Sequence, residues 1–245
     1  APMAELLRLA SLHGLAVLED TAQSIGACQS TDPGRQETRK KAGAWGDAGA
    51  ISFFPTKNLG AAGDAGLVVT SRDDLADRIR MLRVHGSRVK YIHQEVGWNS
   101  RLDELQAAVL LAKLPHLDSW NEARQKNAER YGEWFRQWDL TGKCRLPVVA
   151  PGNTHIYHQF VVASTERDSL REFLLQREIG TEVYYPCPLH LQECFSYLEY
   201  RPGDLPLAER AAREVVALPI YPELQPEQIR FVAESIRDFY RSIQK

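Results

Sequence analysis

Apolar positions along the chain alternate between helical stripes and short unbroken runs. Leu6, Leu7 and Ala10 recur at helical spacing within residues 4–11, and His13-Gly14 closes that helix. Leu15 to Leu18 then forms a continuous apolar run, the pattern of a strand buried on both faces of a parallel sheet. Residues 48–54 and 67–70 predict two further strands. A helix over residues 72–84 follows, with Ser71 as its N-cap and acidic residues in its first turn. This order of elements predicts an α/β layered domain.

Residues 85–100 carry no periodicity and hold His85, Gly86, Gly97, Trp98 and Asn99, which predicts a long loop of the kind that is usually functional. Leu102 to Leu114 reads as a strongly apolar helix. Pro115 kinks or restarts it before a second helical stretch that reaches Trp138, and the domain boundary is placed there, giving parts 1–114 and 115–245. The second part mixes strands at 157–163 and 180–184 with helices at 167–178, 206–216 and 226–242, an α+β pattern. No internal repeat interrupts either part.

Composition narrows the class of partner more than the class of fold. Of 245 residues, 44% are apolar and 25% charged, which excludes disordered, collagen-like and coiled-coil chains. Thirty Lys and Arg stand against 32 Asp and Glu, a net charge of -2 that predicts no nucleic-acid or membrane-surface partner. Any anionic ligand must therefore be held by local groups. Four cysteines without a C-x-x-C pair are too few for a disulfide scaffold, so a cytoplasmic location is expected. The N-terminal stretch lacks the apolar core of a signal peptide, and no segment reads as membrane-spanning.

Two residues stand where chemistry is expected. Asp20 ends the first apolar strand, the edge at which open α/β sheets bind ligands, although Asp20-Thr21-Ala22-Gln23 also has the spacing of a capping box. Lys57 follows an aromatic strand and a proline and precedes a glycine-rich turn, a place where desolvation lowers a lysine's pKa and makes a Schiff-base nucleophile, although spacing alone favours a solvated loop lysine. The run Gly60-Ala61-Ala62-Gly63-Asp64-Ala65-Gly66 departs from both the P-loop and the dinucleotide fingerprint and reads as a turn between strands. His155, His158, Cys187, His190 and Cys194 have short ligand-like spacings, but strand alternation at the first pair and flanking prolines at the second favour packing over a metal, and no metal is expected.

Four blocks, taken together, resemble the DegT/DnrJ/EryC1/StrS family of sugar aminotransferases, which share the aspartate-aminotransferase fold. They are Glu19-Asp20-Thr21-Ala22-Gln23, Gly46-Asp47-Ala48 leading to Ser52-Phe53-Phe54-Pro55-Thr56-Lys57-Asn58, Asn99-Ser100-Arg101-Leu102-Asp103-Glu104-Leu105-Gln106, and Tyr185-Pro186-Cys187-Pro188-Leu189-His190. The resemblance implies an α/β fold, the remnant of a type I pyridoxal-phosphate transferase large domain with a mainly parallel sheet, plus a small α+β C-terminal domain. It starts well inside the family's large domain, which implies that about a third of a usual family chain has no counterpart here and that the chain alone holds cofactor weakly. Ala65 also stands where a glycine is common in the family.

The resemblance further implies transfer of an amino group from an amino acid, glutamate by expectation, to a nucleotide-linked keto-sugar, with pyridoxal 5'-phosphate alternating with its pyridoxamine form. Asp20 would pair with the pyridine nitrogen, Lys57 would hold the cofactor and then move the proton, Gln23 would lie near the phenolic oxygen and Ser52 would donate to the phosphate. Asn99 would reach the phosphate in a partner subunit, making a homodimer with shared sites. Arg101, Tyr184 and His190 are candidates for the substrate pocket. Two alternatives stand beside this reading: a non-catalytic remnant or dimerisation partner, and a related sugar dehydratase, in which histidine replaces the lysine.

Overall fold

A computed structural model of the protein describes residues 1–31 and 39–243. Two compact units divide the chain, Ala1–Asn121 with Val149–His158, and Glu122–Val148 with Gln159–Lys245.

The first unit opens with helix α1 (Met3–Leu12) and strand β1 (Leu18–Asp20). A small hairpin of β2 (Cys28–Ser30) and β3 (Arg39–Lys41) leads to β4 (Ala48–Ser52) and β5 (Gly66–Val69). β1 pairs parallel with β4, and β4 pairs antiparallel with β5, so the sheet order is β1-β4-β5. Strand alternation sets what each residue of β1 does: Glu19 points inward and is 8% exposed, while Leu18 and Asp20 point the other way. The Glu19 carboxylate accepts backbone N–H groups from Gly43 (2.8 Å), Trp45 (2.6 Å) and Gly46 (2.8 Å), which pins the loop before β4 to β1. Hydrogen bonds to a charged acceptor contribute about 1.5–3 kcal/mol each, so this one side chain is a principal anchor of the sheet.

Helix α2 (Asp73–Leu82) follows, then β6 (Ser87–Val89), β7 (Ile92–His93), and α3 (Glu104–Lys113). The expected long loop over residues 85–100 is in fact built around the β6–β7 hairpin, which pairs Ser87 with His93 and turns through Tyr91 at positive φ. Hydrogen bonds from the backbone N–H of Trp98 to the Leu82 carbonyl (2.8 Å) and of Ser100 to Arg83 (2.9 Å) latch it to the end of α2. Gly86, also at positive φ, lies so close to the Glu95 carbonyl that a Cβ would collide with it. A two-residue β7 and a bulge are too short to leave a period-2 signal, which is why pattern alone reads a loop there.

A 3₁₀ turn at Leu114–His116, carrying Pro115, links α3 to α4 (Leu117–Gln137). The second unit then holds β8 (Phe160–Ala163), α5 (Arg167–Leu175), α6 (Pro206–Glu214), β9 (Val215–Leu218) and α7 (Pro226–Ser242). β8 and β9 pair antiparallel, and α7 presents Ile229, Val232, Ala233, Ile236, Phe239 and Tyr240 as one buried stripe. Tyr131 stacks on Phe160 at 4.9 Å and donates through its hydroxyl to the Pro219 carbonyl (2.9 Å). Cys144 is fully buried there, and burial pushes its thiol up to about 12.

Several expected elements shift. α2 starts at Asp73 with Arg72 as N-cap, because the Thr70 hydroxyl accepts the Arg72 N–H and turns the chain before Ser71 is able to cap. β8 starts at Phe160, since Tyr157 sits at positive φ. The expected strand over 180–184 is reduced to a bridge between Glu182 and Ala217. α6 ends at Glu214, where the Val215-Val216-Ala217-Leu218 run leaves the helix to pair with β8. Leu15, Ala16 and Val17 lie outside β1, and Leu18 is 72% exposed, so no residue of the run expected to be covered on both faces is buried, and Glu19 is the buried position of β1.

Candidate active site

β1 and β4 end side by side, with Asp20 opposite Ala50 in register. Directly beyond that row β1 gives way to a turn, while β4 runs on to Ser52 before the loop that carries Lys57. At the end of β1 the Asp20 Oδ1 accepts the Ala22 N–H (3.0 Å), while Thr21 is buried beneath and donates from its hydroxyl to the Ala50 carbonyl (2.7 Å). A turn and not a helix follows Asp20, so the capping-box spacing of Asp20-Thr21-Ala22-Gln23 caps no helix, and Gln23 is exposed within the turn. Ser52 closes β4, and its hydroxyl accepts the Phe54 N–H (3.3 Å).

Lys57 rides on the loop that leaves β4. The loop is tied at its base by hydrogen bonds from Ala61 N–H to the Phe53 carbonyl (2.8 Å) and from Lys57 N–H to Phe54 (2.9 Å). Gly60 packs against the Pro55 carbonyl where any Cβ would clash, and the Lys113 ammonium donates to the Gly60 carbonyl from α3. Ala62 N–H adds a bond to the Gln106 side chain (2.8 Å). On either side of the half-buried Lys57 the loop is therefore fixed, and the freedom left is that of its own four-carbon stem. The turn through Ala65 is closed as well, by Phe53 N–H to the Ala65 carbonyl (2.9 Å).

Asn99 and Arg101 form a second place in the same unit. Asn99 is held by a bridge to Val84, and its Oδ1 accepts from the Arg101 Nε (3.1 Å), both side chains lying on an exposed surface. Tyr184 and His190 belong to the second unit, where they line a cavity of about 800 Å³ together with Pro186, Leu189, Phe195 and Leu198. His190 is 8% exposed, and its Nε2 lies 3.2 Å from Glu209 Oε1. The Gly203 N–H (2.8 Å), with the His190 ring beside it, holds the Glu209 carboxyl below its usual range.

Among the described residues no group of three or more His, Cys, Asp or Glu side chains is gathered as a metal ion requires. His155 Nδ1 instead accepts the Tyr157 N–H (2.9 Å). No helix among them is long and apolar enough to cross a membrane.

The sequence profile of the DegT/DnrJ/EryC1/StrS aminotransferase family matches residues 1–237. The chain belongs to that family. A pleiotropic regulatory protein of Geobacillus stearothermophilus is 46% identical over 98% of this chain and 62% of its own. The dTDP-3-amino-3,4,6-trideoxy-alpha-D-glucose transaminase of Streptomyces venezuelae is 43% identical over 98% of this chain and 60% of its own. The crystal structure of S. venezuelae DesV superposes with a TM-score of 0.89 at 43% identity, covering 98% of this chain and 62% of that one. That of NtdA from Bacillus subtilis, with bound cofactor PMP, gives 0.84 at 29% identity over 98% and 54%. The chain thus spans about 60% of the length of the relatives it matches.

Within the DegT/DnrJ/EryC1/StrS motifs, sequence reasoning passed over the residues that hold the candidate groups in place. Glu19 and Asn58 each stand next to a named residue, Asp20 and Lys57, and each is buried with its polar atoms engaged. A charged or amide residue directly beside a candidate functional group in the family motif, on the opposite face of the strand or turn, is the signal that was available.

Proposed function

We propose that this DegT/DnrJ/EryC1/StrS chain takes part in pyridoxal-phosphate-dependent transfer of an amino group from an amino acid, glutamate by preference, to a nucleotide-linked keto-sugar. The observation that carries the reading is that Asp20 and Ser52 end the adjacent parallel strands β1 and β4, and Lys57 rides on the loop that leaves β4, at the edge where open α/β sheets bind their ligands. The donor set suits that cofactor: an amine for its aldehyde, a carboxylate for its ring nitrogen, and a hydroxyl for its phosphate. When bound, the cofactor supplies an electron sink for charge developing at the amino carbon.

In this reading Lys57 holds the cofactor and then, as a free amine, takes and returns the proton at the carbon that gains or loses nitrogen. Arginine would not serve, since its guanidinium stays protonated. Asp20 keeps the ring nitrogen protonated, and the Ala22 N–H orients its carboxylate for that task. Gln23 is assigned to the phenolic oxygen and Ser52 to the phosphate. Arg101, Tyr184 and His190 are assigned to the substrate, with His190 held by Glu209. Relatives named as nucleotide-sugar transaminases support the substrate class.

We assign Asn99 to the phosphate of a second copy, in a homodimer with shared sites. Support comes from the hairpin and the segment after it, which expose Val89, Tyr91, Ile92, Val96 and Trp98, apolar side chains of the kind that a partner surface covers. A cytoplasmic location is proposed on the four cysteines, all of them free. The deciding experiment adds pyridoxal phosphate, reduces with borohydride and maps the modified peptide. The expected product, at pyridoxal phosphate concentrations high enough to offset weak holding, carries the label on Lys57; a label on another lysine in its place ends the catalytic assignment.

A further inference from the structure

Asn58 is 6% exposed, and its side chain engages three groups of the first unit. Its Nδ2 donates to Asn121 Oδ1 (2.7 Å) and to the Ile156 carbonyl (3.1 Å). Its Oδ1 faces His158 Nδ1 at 3.2 Å. Because both amide protons already have acceptors, the oxygen is the atom turned to His158, and the ring nitrogen must be the donor. The His158 tautomer is thereby fixed with its proton on Nδ1. Asn121 carries the network one step on, donating through Nδ2 to the Ile25 carbonyl (3.2 Å).

Three segments, around residues 58, 121 and 156–158, therefore meet at the amide of one residue, and Asn121 ties in a fourth at Ile25. That residue directly follows Lys57. The loop base closes the other side through the bonds of Ala61 and Lys57 to Phe53 and Phe54. A buried amide with all its polar atoms engaged is costly to rotate, since any other orientation leaves donors or acceptors unmet. A packing role alone needs no such set of directed bonds, and an aliphatic side chain would fill the same space.

We propose that Asn58 and His158 are positioning residues for Lys57: the Nδ1–H of His158 locks the Asn58 amide, and the locked amide sets the direction from which the Lys57 amine enters the site. The inference rests on the function proposed above for the importance of Lys57, while the clamp itself is measurable on the chain without cofactor. Loosening it lets the Lys57 stem sample solvent more freely.

The test compares two polar substitutions that differ only in where they place a donor. Asparagine puts its amide nitrogen where His158 has Nδ1, and glutamine puts it one bond further out. The full chain and its His158→Asn and His158→Gln variants are labelled with acetic anhydride, and the rate at Lys57 is read by mass spectrometry against the exposed Lys126 of α4. His158→Gln is expected to raise the ratio about fivefold, the scale of one lost neutral hydrogen bond, and His158→Asn to leave it close to that of the unaltered chain. Equal ratios in both variants overturn the clamp, as does loss of folded structure in both, which would make His158 a packing element. Borohydride trapping with pyridoxal phosphate runs alongside. If, at saturating pyridoxal phosphate, another lysine is trapped in place of Lys57, the functional reading fails and the labelling ratio still decides the clamp. If it is trapped while the ratios are equal, the clamp fails and the functional reading stands.

Discussion

The two units bury different things. In the second, the largest fully buried apolar side chains, among them Tyr131, Phe135, Leu170, Leu174, Ile229 and Ile236, interlock between α4, α5, α7 and the β8–β9 pair. In the first, a smaller apolar cluster of Phe53, Leu59, Ala61, Leu110 and Leu117 shares the interior with polar side chains buried beside the candidate site: Glu19, Thr21, Asn58 and Asn121. Apolar residues on its sheet, Leu18, Leu67 and Val68, stay exposed. Apolar packing is non-directional and tolerates repacking, whereas hydrogen bonds to buried carboxylates and amides fix orientation. The large apolar side chains of the second unit thus supply stability, while the polar groups buried beside the candidate site add aim to the packing of the first.

The sharpest way to break that contrast is Lys57→Arg. It removes the proton carrier without touching the anchors, so amino transfer should fall by about 10³-fold or more while the urea midpoint stays put. Initial rates alongside a denaturation curve decide it, and a large loss of stability would mean that the first unit depends on Lys57 for more than aim.

Next in size is a pair of substitutions read by the same denaturation curve. Leu170→Ala, at a fully buried site, should cost about 2–5 kcal/mol. Leu18→Ser, on the exposed face of β1, should cost less than about 0.5 kcal/mol. Equal costs would show that the exposed sheet face is covered in solution and that the contrast between the units is smaller than described.

The smallest effects are expected in acid, with one carboxylate in each unit. The Val17 N–H (2.8 Å), followed by Arg72 (3.2 Å), holds Asp47 below its ordinary 3.8. The Gly203 N–H, followed by His190, holds Glu209 below its ordinary 4.5. A carboxyl with a lowered folded pKa contributes stability that is complete above its unfolded pKa and is lost as pH falls through the folded value. The gap in thermal midpoint between the unaltered chain and Glu209→Gln should therefore be constant above pH about 4.5 and close below it. For Asp47→Asn the closing should begin below about 3.8. A gap that widens in acid would reverse the sign for that carboxylate.

Much of the first unit was legible because its elements are strong local signals. β4, β5, α2 and α3 follow from apolar runs bounded by turn residues, and the family follows from four short blocks that hold the candidate site residues. What escaped was non-local. The Glu19 carboxylate and the Asn58 amide take partners 24 to 100 residues away, and no pattern around them announces which backbone group will arrive. β9 escaped for a different reason, because its residues continue an apolar periodicity that suits helix α6 equally well until β8 offers an open edge. The β6–β7 hairpin was too short for its alternation to register.

The return of residues 149–158 to the first unit bears on the order of events during synthesis. The groups that close around Asn58, the Ile156 carbonyl and the His158 ring, lie 98 and 100 residues later in the chain. While the ribosome is still making the long helix α4, the lysine loop has its base but not its clamp. A nascent chain paused before residue 156 would therefore carry the lysine loop with its base tied but the Asn58 amide short of two of its partners, and only translation of the segment after α4 completes the network around a residue made about a hundred codons earlier.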